Sequence, residues 1–387
     1  MNKIKKITAL SLTMLLLVLS NVAATDLSFY GSVRNYIGVL PTQDFEYAVM
    51  QDTFDLSIEY YGDNSAVLIN PYMNYDLDNE LTIDLREAYI DLYLDDADLR
   101  IGRQQIIWGK ADGVFITDVV SPKNLENFLI PDFNEIRLGV TALKADYYAG
   151  DATYELIWIP VFTPNSLPAA ESIWNAKSVP FGNTDSDIAT SLENSEVFGR
   201  YSKYTSDIDF ELMGGYMWDD EPAAKGVGTF THYRTGIVGG SLSSSVGDFI
   251  IRSEGAWYID KQFSPTLEMD YLHYMVGIDY KINGWNLSAQ FIQKVYLDYV
   301  DNTFTDQWNT TVTFMANKEF LENKLLFEFF TYLEFDELNA LIKPKVTYDL
   351  SDNINLLFGA NLFFGDTGTF GQFDNNDMIY SKIQLSF

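Results

Sequence analysis

Met378-Ile379-Tyr380-Ser381-Lys382-Ile383-Gln384-Leu385-Ser386-Phe387, the last ten residues, carry the clearest structural signal in the chain. Ile379, Ser381, Ile383, Leu385 and Phe387 share one parity, and Met378, Tyr380, Lys382, Gln384 and Ser386 share the other. Alternation with a period of two marks a strand whose two faces meet different surroundings. Working back along the chain, Ile354, Leu356, Phe358, Leu362 and Phe364 alternate with Asn355, Gly359 and Asn361, and Trp285, Leu287, Ala289 and Phe291 with Asn286, Ser288 and Gln290. A soluble sandwich turns such an apolar face inward and a membrane barrel turns it outward, so alternation by itself leaves both open.

The connections separate them. The pattern predicts eighteen strands from 26–40 to 377–387, with 52–61, 82–93, 98–108, 135–148, 230–244 and 270–281 among those between. Every second connection is a short run of turn formers, such as Gly62-Asp63-Asn64, Asp95-Asp96-Ala97 and Ile282-Asn283-Gly284. The intervening ones are mostly longer, above all 109–134 and 162–194. Short turns at one end and long loops at the other are the asymmetry of an outer-membrane barrel. The predicted fold is therefore all-β: a transmembrane antiparallel β-barrel of about 18 strands (16–18), with short periplasmic turns and long extracellular loops.

Composition agrees by exclusion. With no Cys and two His among 387 residues, disulfide frameworks and thiolate chemistry are absent and histidine chemistry is scarce; no cofactor and no metal are expected. A formal net charge of −30 argues against nucleic acid, whose phosphates call for clustered Lys and Arg. Aromatic residues at 15% argue against disorder. In a barrel they have a place at the lipid–water boundaries, and Tyr72, Tyr75, Tyr147, Tyr148, Trp257, Tyr258, Trp285, Tyr296 and Tyr299 fall near predicted strand ends. Residues 1–24 read as a secretory signal peptide: Lys3, Lys5 and Lys6, an apolar run from Ile7 to Leu19, then Val22 and Ala24 at the small positions before cleavage. That leaves 25–387 as one barrel domain, with no separate plug ahead of the first strand. No later run is apolar enough for a membrane helix.

The alternating end in Phe387 resembles the terminal strand of bacterial outer-membrane barrels, which implies the barrel-assembly machinery as a partner and the outer membrane of a diderm bacterium as the location. A second resemblance rests on Leu85-Arg86-Glu87-Ala88-Tyr89, then Arg100-Ile101-Gly102-Arg103-Gln104 and Trp108-Gly109, with Ser121-Pro122 and Arg137-Leu138-Gly139-Val140 beyond. Over roughly 80–165 this resembles a porin-like outer-membrane family of unknown function with a G-R-Q-x-x-x-W-G element after an E-A-Y strand. Alginate-export type barrels carry a similar G-R-Q strand. The resemblance implies a barrel of this size and no particular substrate.

Strand 82–93 changes phase, because Ile83 and Leu85 share one parity and Ala88, Ile90 and Leu92 the other; a bulge near Arg86 and Glu87 accounts for it. An arginine facing lipid costs about 2–4 kcal/mol at mid-bilayer, so these charges are expected inside, either as a network with Arg100 that rigidifies the wall or as pore lining. All eight arginines, Arg34, Arg86, Arg100, Arg103, Arg137, Arg200, Arg234 and Arg252, fall in predicted strands, whereas acidic residues crowd loops and turns. The wall is thus expected to be basic and the rims acidic. Candidate pore-lining residues are Arg86, Glu87, Arg100, Arg103, Gln104, Arg137, Arg234 and Arg252.

Loop 109–134 either folds into the lumen, where Asp112, Asp118, Lys123, Glu126, Asp132 and Glu135 would face the arginines, or covers the mouth. Loop 162–194, with Pro164, Pro168, Trp174 and Pro180, is a second candidate lid. The expected function is a porin-like channel for small hydrophilic solutes. The alternative is a surface adhesin or structural barrel without an open pore. Neither is an enzyme, since a membrane hydrolase needs a lipid-facing Ser–His pair and His232 has lumenal parity beside Arg234. Outer-membrane lipid, lipopolysaccharide and a second copy of the chain are the remaining candidate partners.

Overall fold

The computed structural model describes residues 27–77, 80–133, 135–175, 183–185, 188–226, 228–301 and 305–387. The signal-peptide segment, Pro180 and Phe181 lie outside them. The barrel strands are β1 (Leu27–Leu40), β2 (Glu46–Tyr61), β3 (Ser65–Tyr75), β4 (Leu81–Tyr93), β5 (Ala97–Gln104) and β6 (Val140–Ala149). Next come β7 (Ala152–Ile159), β8 (Glu196–Tyr204), β9 (Ile208–Trp218), β10 (Arg234–Val246), β11 (Phe249–Ser264) and β12 (Leu267–Ile282). The last six are β13 (Trp285–Tyr296), β14 (Trp308–Phe320), β15 (Leu325–Glu334), β16 (Asn339–Ser351), β17 (Ile354–Phe364) and β18 (Met378–Ser386).

All eighteen pair antiparallel in chain order, and β1 pairs with β18 from Ser32↔Ser386 to Val39↔Ile379, so the sheet closes on itself with no free edge. Phe387 seals the seam: its N–H and C=O exchange hydrogen bonds with Gly31, each 2.9 Å, and its ring lies where a Cβ on Gly31 would sit, 2.5 Å away. Phe54 stacks on that ring.

Alternation sorts the side chains as the sequence pattern predicts. Val33, Ile101, Leu212, Val276, Phe358 and Ile383 point outward and are exposed, forming an apolar belt far too continuous for a water-soluble surface. Both ends carry outward aromatic residues. Tyr147, Tyr154, Phe249, Phe320 and Tyr348 ring the short-turn end, and Phe45, Tyr47, Tyr75, Tyr216, Trp257 and Trp308 the other. Of the aromatics expected there, Tyr72, Tyr148, Tyr258, Tyr296 and Tyr299 instead face inward: Tyr72 beside Arg86, Tyr148 with its hydroxyl on Asp98, and the other three against the buried side chains around the inserted segment. At the short-turn end Asn283 (φ 51°) and Gly284 (φ 79°) supply the paired positive φ of a two-residue hairpin.

Two expectations need correction. The opposite end is less uniformly looped, because residues 41–45, 265–266 and 335–338 are also tight turns; β2 and β12 begin earlier than the hydropathy pattern suggests. Strand β6 starts at Val140, not 135, so Arg137 lies outside the wall. Long connections remain at 105–139, 160–195, 219–233, 297–307 and 365–377.

Candidate functional site

The segment between β5 and β6 runs into the barrel rather than over it, and the G-R-Q element begins the turn. Gly102 has φ +136°, and a Cβ there would stand 2.3 Å from the Ala88 carbonyl oxygen; only glycine fits. This kink breaks the alternation, so Arg103 and Gln104 both end inside. Opposite it, the β3–β4 ladder skips Arg86 between Asn70↔Glu87 and Pro71↔Leu85, which is the bulge the phase change implies. Arg103 donates to the freed Leu85 carbonyl at 2.8 Å, and Glu87 accepts the Gln105 N–H at 2.8 Å. Gln104, fully buried, donates to Ala142 O at 3.1 Å. Trp108 then sinks between the walls, its indole N–H on Glu155 at 2.5 Å and its edge on the Phe198 ring.

From there the segment crosses the lumen and is held on both sides. Toward β6–β15, Ile106, Trp108, Ile116, Val119 and Val120 pack with inward residues such as Ile157, Ile237 and Met275. Glu254 accepts the N–H groups of Lys110, Ala111 and Thr117 and the Thr117 hydroxyl, at 2.6–2.9 Å. Arg252 donates to the Lys110 carbonyl and pairs with Asp112 at 2.6 Å and Asp279 at 2.7 Å. The Tyr258 and Tyr332 hydroxyls donate to the carbonyls of Ile116 and Gly113, each at 2.7 Å. Toward the seam, Lys345 and Lys382 hold Asp132 at 3.0 and 3.1 Å, Lys343 donates to Leu129 O at 2.6 Å, and Arg34 pairs with Glu135 at 2.5 Å. Burial pushes the Asp132 carboxyl up, but Lys382 and Lys345 outweigh it and hold it well below the usual carboxylate range. Phe128, Trp174, Phe370 and Phe373 from three long connections close an apolar cap above. Trp174 of the second long loop therefore belongs to the cap.

Three spaces flank the segment among the described residues. One, of about 240 Å³, runs between residues 124–139 and the β1–β5 wall, from Asp76 and Thr82 at the long-loop end down to Arg34, Arg86 and Arg103. A second, of about 220 Å³, shares Arg34, Thr53, Arg86 and Glu135 with it and continues to Ser32 and Gln384. Together they trace a polar groove past the inserted segment. The third, of about 290 Å³, opens on the long-loop side against β9–β15. Between them stands a partition: Arg137 faces the first space, Asp118 the third, and the two are bonded at 2.6 Å with both side chains almost fully buried. The stacked Phe115 and Phe133 rings, 4.2 Å apart, complete it, and Arg137 lies 4.9 Å from Phe133.

The expected site residues thus divide. Arg86, Arg103, Arg137 and Glu87 gather at the groove or its root, joined by Arg34. Arg100 sits nearer the short turns on Asp91, at 2.7 Å and 2.8 Å, and over the Tyr89 ring, so the expected Arg86–Arg100 network does not form; Arg86 pairs with Asp55 at 2.7 Å. Arg234 lies at the foot of the long loops, bonded to the carbonyls of Glu193 and Ser195 and over the Trp218 ring. Arg252 and Asp112 anchor the segment away from the groove, Asp118 forms the partition, Asp132 holds the seam side, and Lys123 faces the third space. His232 sets Nδ1 against the Asp219 carbonyl at 2.7 Å and its ring against Phe162; burial lowers its pKa, and its role is packing.

The picture of a basic wall with acidic rims is also corrected. Asp55, Asp91, Glu155, Glu211 and Asp279 face inward from strands and pair with Arg86, Arg100, Arg200 and Arg252, four of the eight arginines, while Glu254 takes backbone donors. Weighing charge by strand against loop passes over these acids; their lumenal parity is the available signal. Arg103 makes no ion pair among the described residues.

A closed barrel of eighteen strands narrowed by an inward-folded segment is the architecture of the channel-type barrels of bacterial outer membranes. The chain itself belongs to a family described as proteins of unknown function, DUF1302, whose model matches residues 22–257. Its fold is similar to that of Acinetobacter baumannii OccAB3, with TM-score 0.60 and 9% identity over 94% of this chain and 99% of that one. Pseudomonas aeruginosa OccK2 (OpdF), solved in complex with glucuronate, gives TM-score 0.60 and 11% identity over 94% and 98%. Pseudomonas aeruginosa OpdK, solved with vanillate, gives TM-score 0.58 and 9% identity over 94% and 98%. No curated protein matches the sequence.

Proposed function

We propose that the protein is a bacterial outer-membrane channel that passes small hydrophilic solutes along the groove between residues 124–139 and the β1–β5 wall. One observation carries this reading. A barrel of this strand number encloses a wide lumen, and here a buried, many-bonded segment crosses it and leaves, against the β1–β5 wall, a polar groove bearing Arg34, Arg86 and Arg103. A barrel serving only as a scaffold has no need of a solvated path lined by charge. The small organic solutes bound by OccK2 and OpdK favour the same class of cargo here. Arg34 and Arg86 are paired with Glu135 and Asp55, and Arg103 faces a space that Asp84 and Glu126 also line, so the groove carries charges of both signs with Arg103 as its local cation.

The partition at Arg137–Asp118 favours the alternative of a closed structural or adhesive barrel. Planar-bilayer recording separates the two. The channel gives discrete conductance steps. A silent protein that inserts and folds overturns the proposal.

A further inference from the structure

The third space holds several charged side chains that make no ion pair among the described residues. Lys123 is only 8% exposed, yet its ammonium makes no hydrogen bond or ion pair among the described residues; it rests 5.0 Å from the Phe115 ring and opens into the cavity. Lys294 on β13 is alike, with only the Tyr271 ring at 5.2 Å. Directly across the ladder from Lys294 stands His273, whose ring is also without a hydrogen-bond partner among the described residues. Lys261 in the same space shows what a satisfied cation looks like here, clasped by Asp219 and, at 3.2 Å, by Glu221. Asp220 is the complement: its carboxylate lines the cavity and accepts no hydrogen bond among the described residues. Burial pushes that carboxyl up, and Lys123 pulls it down less strongly. Lys123 and Asp220 share the cavity without pairing.

Lys123 is buried and Lys294 and Asp220 are half-buried, and charges of both signs left apart in such a space are costly unless something bridges them. A solute that is anionic at one end and cationic at the other does so. The volume of about 290 Å³ lies at the small end of ligand sites, and Tyr271, Tyr332 and Phe370 give it an aromatic wall. We propose that this cavity is a binding station for a small zwitterionic solute of amino-acid type, its carboxylate on Lys123 and Lys294, its ammonium on Asp220 and its apolar part on the aromatic wall. The proposal rests on the channel reading and names a solute class for it.

The test uses the folded full-length barrel in detergent micelles, titrated calorimetrically with phenylalanine, 3-phenylpropionate and 2-phenylethylamine, which share a ring and differ in charge. Phenylalanine is expected to bind at least tenfold more tightly than either singly charged analogue. Asp220→Asn brings it down to the level of 3-phenylpropionate, and Lys294→Gln weakens both; heat-modifiable gel mobility checks that each variant folds. Equal binding of phenylalanine and 3-phenylpropionate overturns the zwitterion in favour of a plain anion site. Failure of all three to bind a barrel that conducts overturns the station and leaves the channel standing. The expected preference in a barrel that never conducts supports the station and overturns the channel.

Discussion

The inserted segment meets two unlike walls. On the β6–β15 side it is fixed by apolar packing and by Glu254, one buried carboxylate that accepts four donors. On the seam side it is fixed by long cationic side chains, Arg34, Lys343, Lys345 and Lys382, reaching across to its carbonyls and carboxylates. Dry packing around residues 106–120 leaves no gap there, and the third space opens beside it on the long-loop side, whereas the reach of side chains on the seam side holds the segment off the wall and leaves the groove at Arg34. The difference teaches that the pore is placed by the kind of anchor on each side, more than by the amount of loop inside.

The pivot of both halves offers the sharpest break. Gly102→Ala puts a methyl within 2.3 Å of a backbone oxygen at a φ of +136°, so β5 cannot keep its ladder and the segment loses its entry. The expected result is a barrel that fails to reach the heat-resistant folded form on refolding, read by gel mobility. Next in size is the dry wall. Glu254→Ala leaves four buried donors without their acceptor, and each costs about 1–3 kcal/mol when unsatisfied. The segment should detach from β11, giving a several-fold rise in single-channel conductance and a lower melting temperature. An unchanged conductance would sink the claim that this wall is what keeps the lumen narrow.

The partition comes third. Arg137→Ala strands Asp118 in an almost fully buried position, and removing one member of a buried pair costs roughly 3–5 kcal/mol. Where Glu254 moves the whole segment, this change loosens only the wall between the two spaces. Flickering current through an otherwise normal mean conductance is expected in bilayer recordings.

How far the sequence announced this asymmetry depends on what each residue's meaning requires. Strands β3, β9 and β17 are legible to the residue, because alternation is local and the turns flanking them are built from Gly, Asp and Asn. The bulge at Arg86 was legible too, as a change of parity. Glu254 was not: a lone acid between Ser253 and Gly255 has no local mark of the four donors that arrive from residues 110–117. Arg137 was misplaced because Arg-Leu-Gly-Val reads as strand, while its true partner, Asp118, is set by the fold of the inserted segment. Three-dimensional neutralisation of the arginines is likewise a property of pairs that one-dimensional charge placement does not contain.

Arg103 tests the wet wall alone. Its guanidinium bonds Leu85 O and no carboxylate among the described residues, so Arg103→Gln removes a net charge from the groove while Gln keeps a donor for that carbonyl. The reversal potential should move toward cations by a modest amount, with stability nearly unchanged. The same substitution at Arg100, which is paired with Asp91 away from the groove, should move it less. If Arg100 has the larger effect, the path runs along a different wall.

Acid provides the smallest and most specific probe of the seam side. Asp132 is held below the ordinary carboxylate pKa of about 3.9 by Lys345 and Lys382. For a carboxyl depressed on folding, the stabilisation is fully present above the unfolded pKa and fades only as pH falls through the folded one. The clamp therefore stays charged between pH 7 and about 4, and groove conductance should be flat across that range once solvent conductivity is divided out. Asp132→Asn imposes the uncharged form at neutral pH and leaves Lys345 and Lys382 without that carboxylate on the seam side of the segment. That variant should show slightly larger conductance and stronger anion preference at pH 7, which wild type reaches only in stronger acid. A wild-type transition centred near pH 5 would instead mean that another group governs the seam, and that the wet wall is held by something other than its lysines.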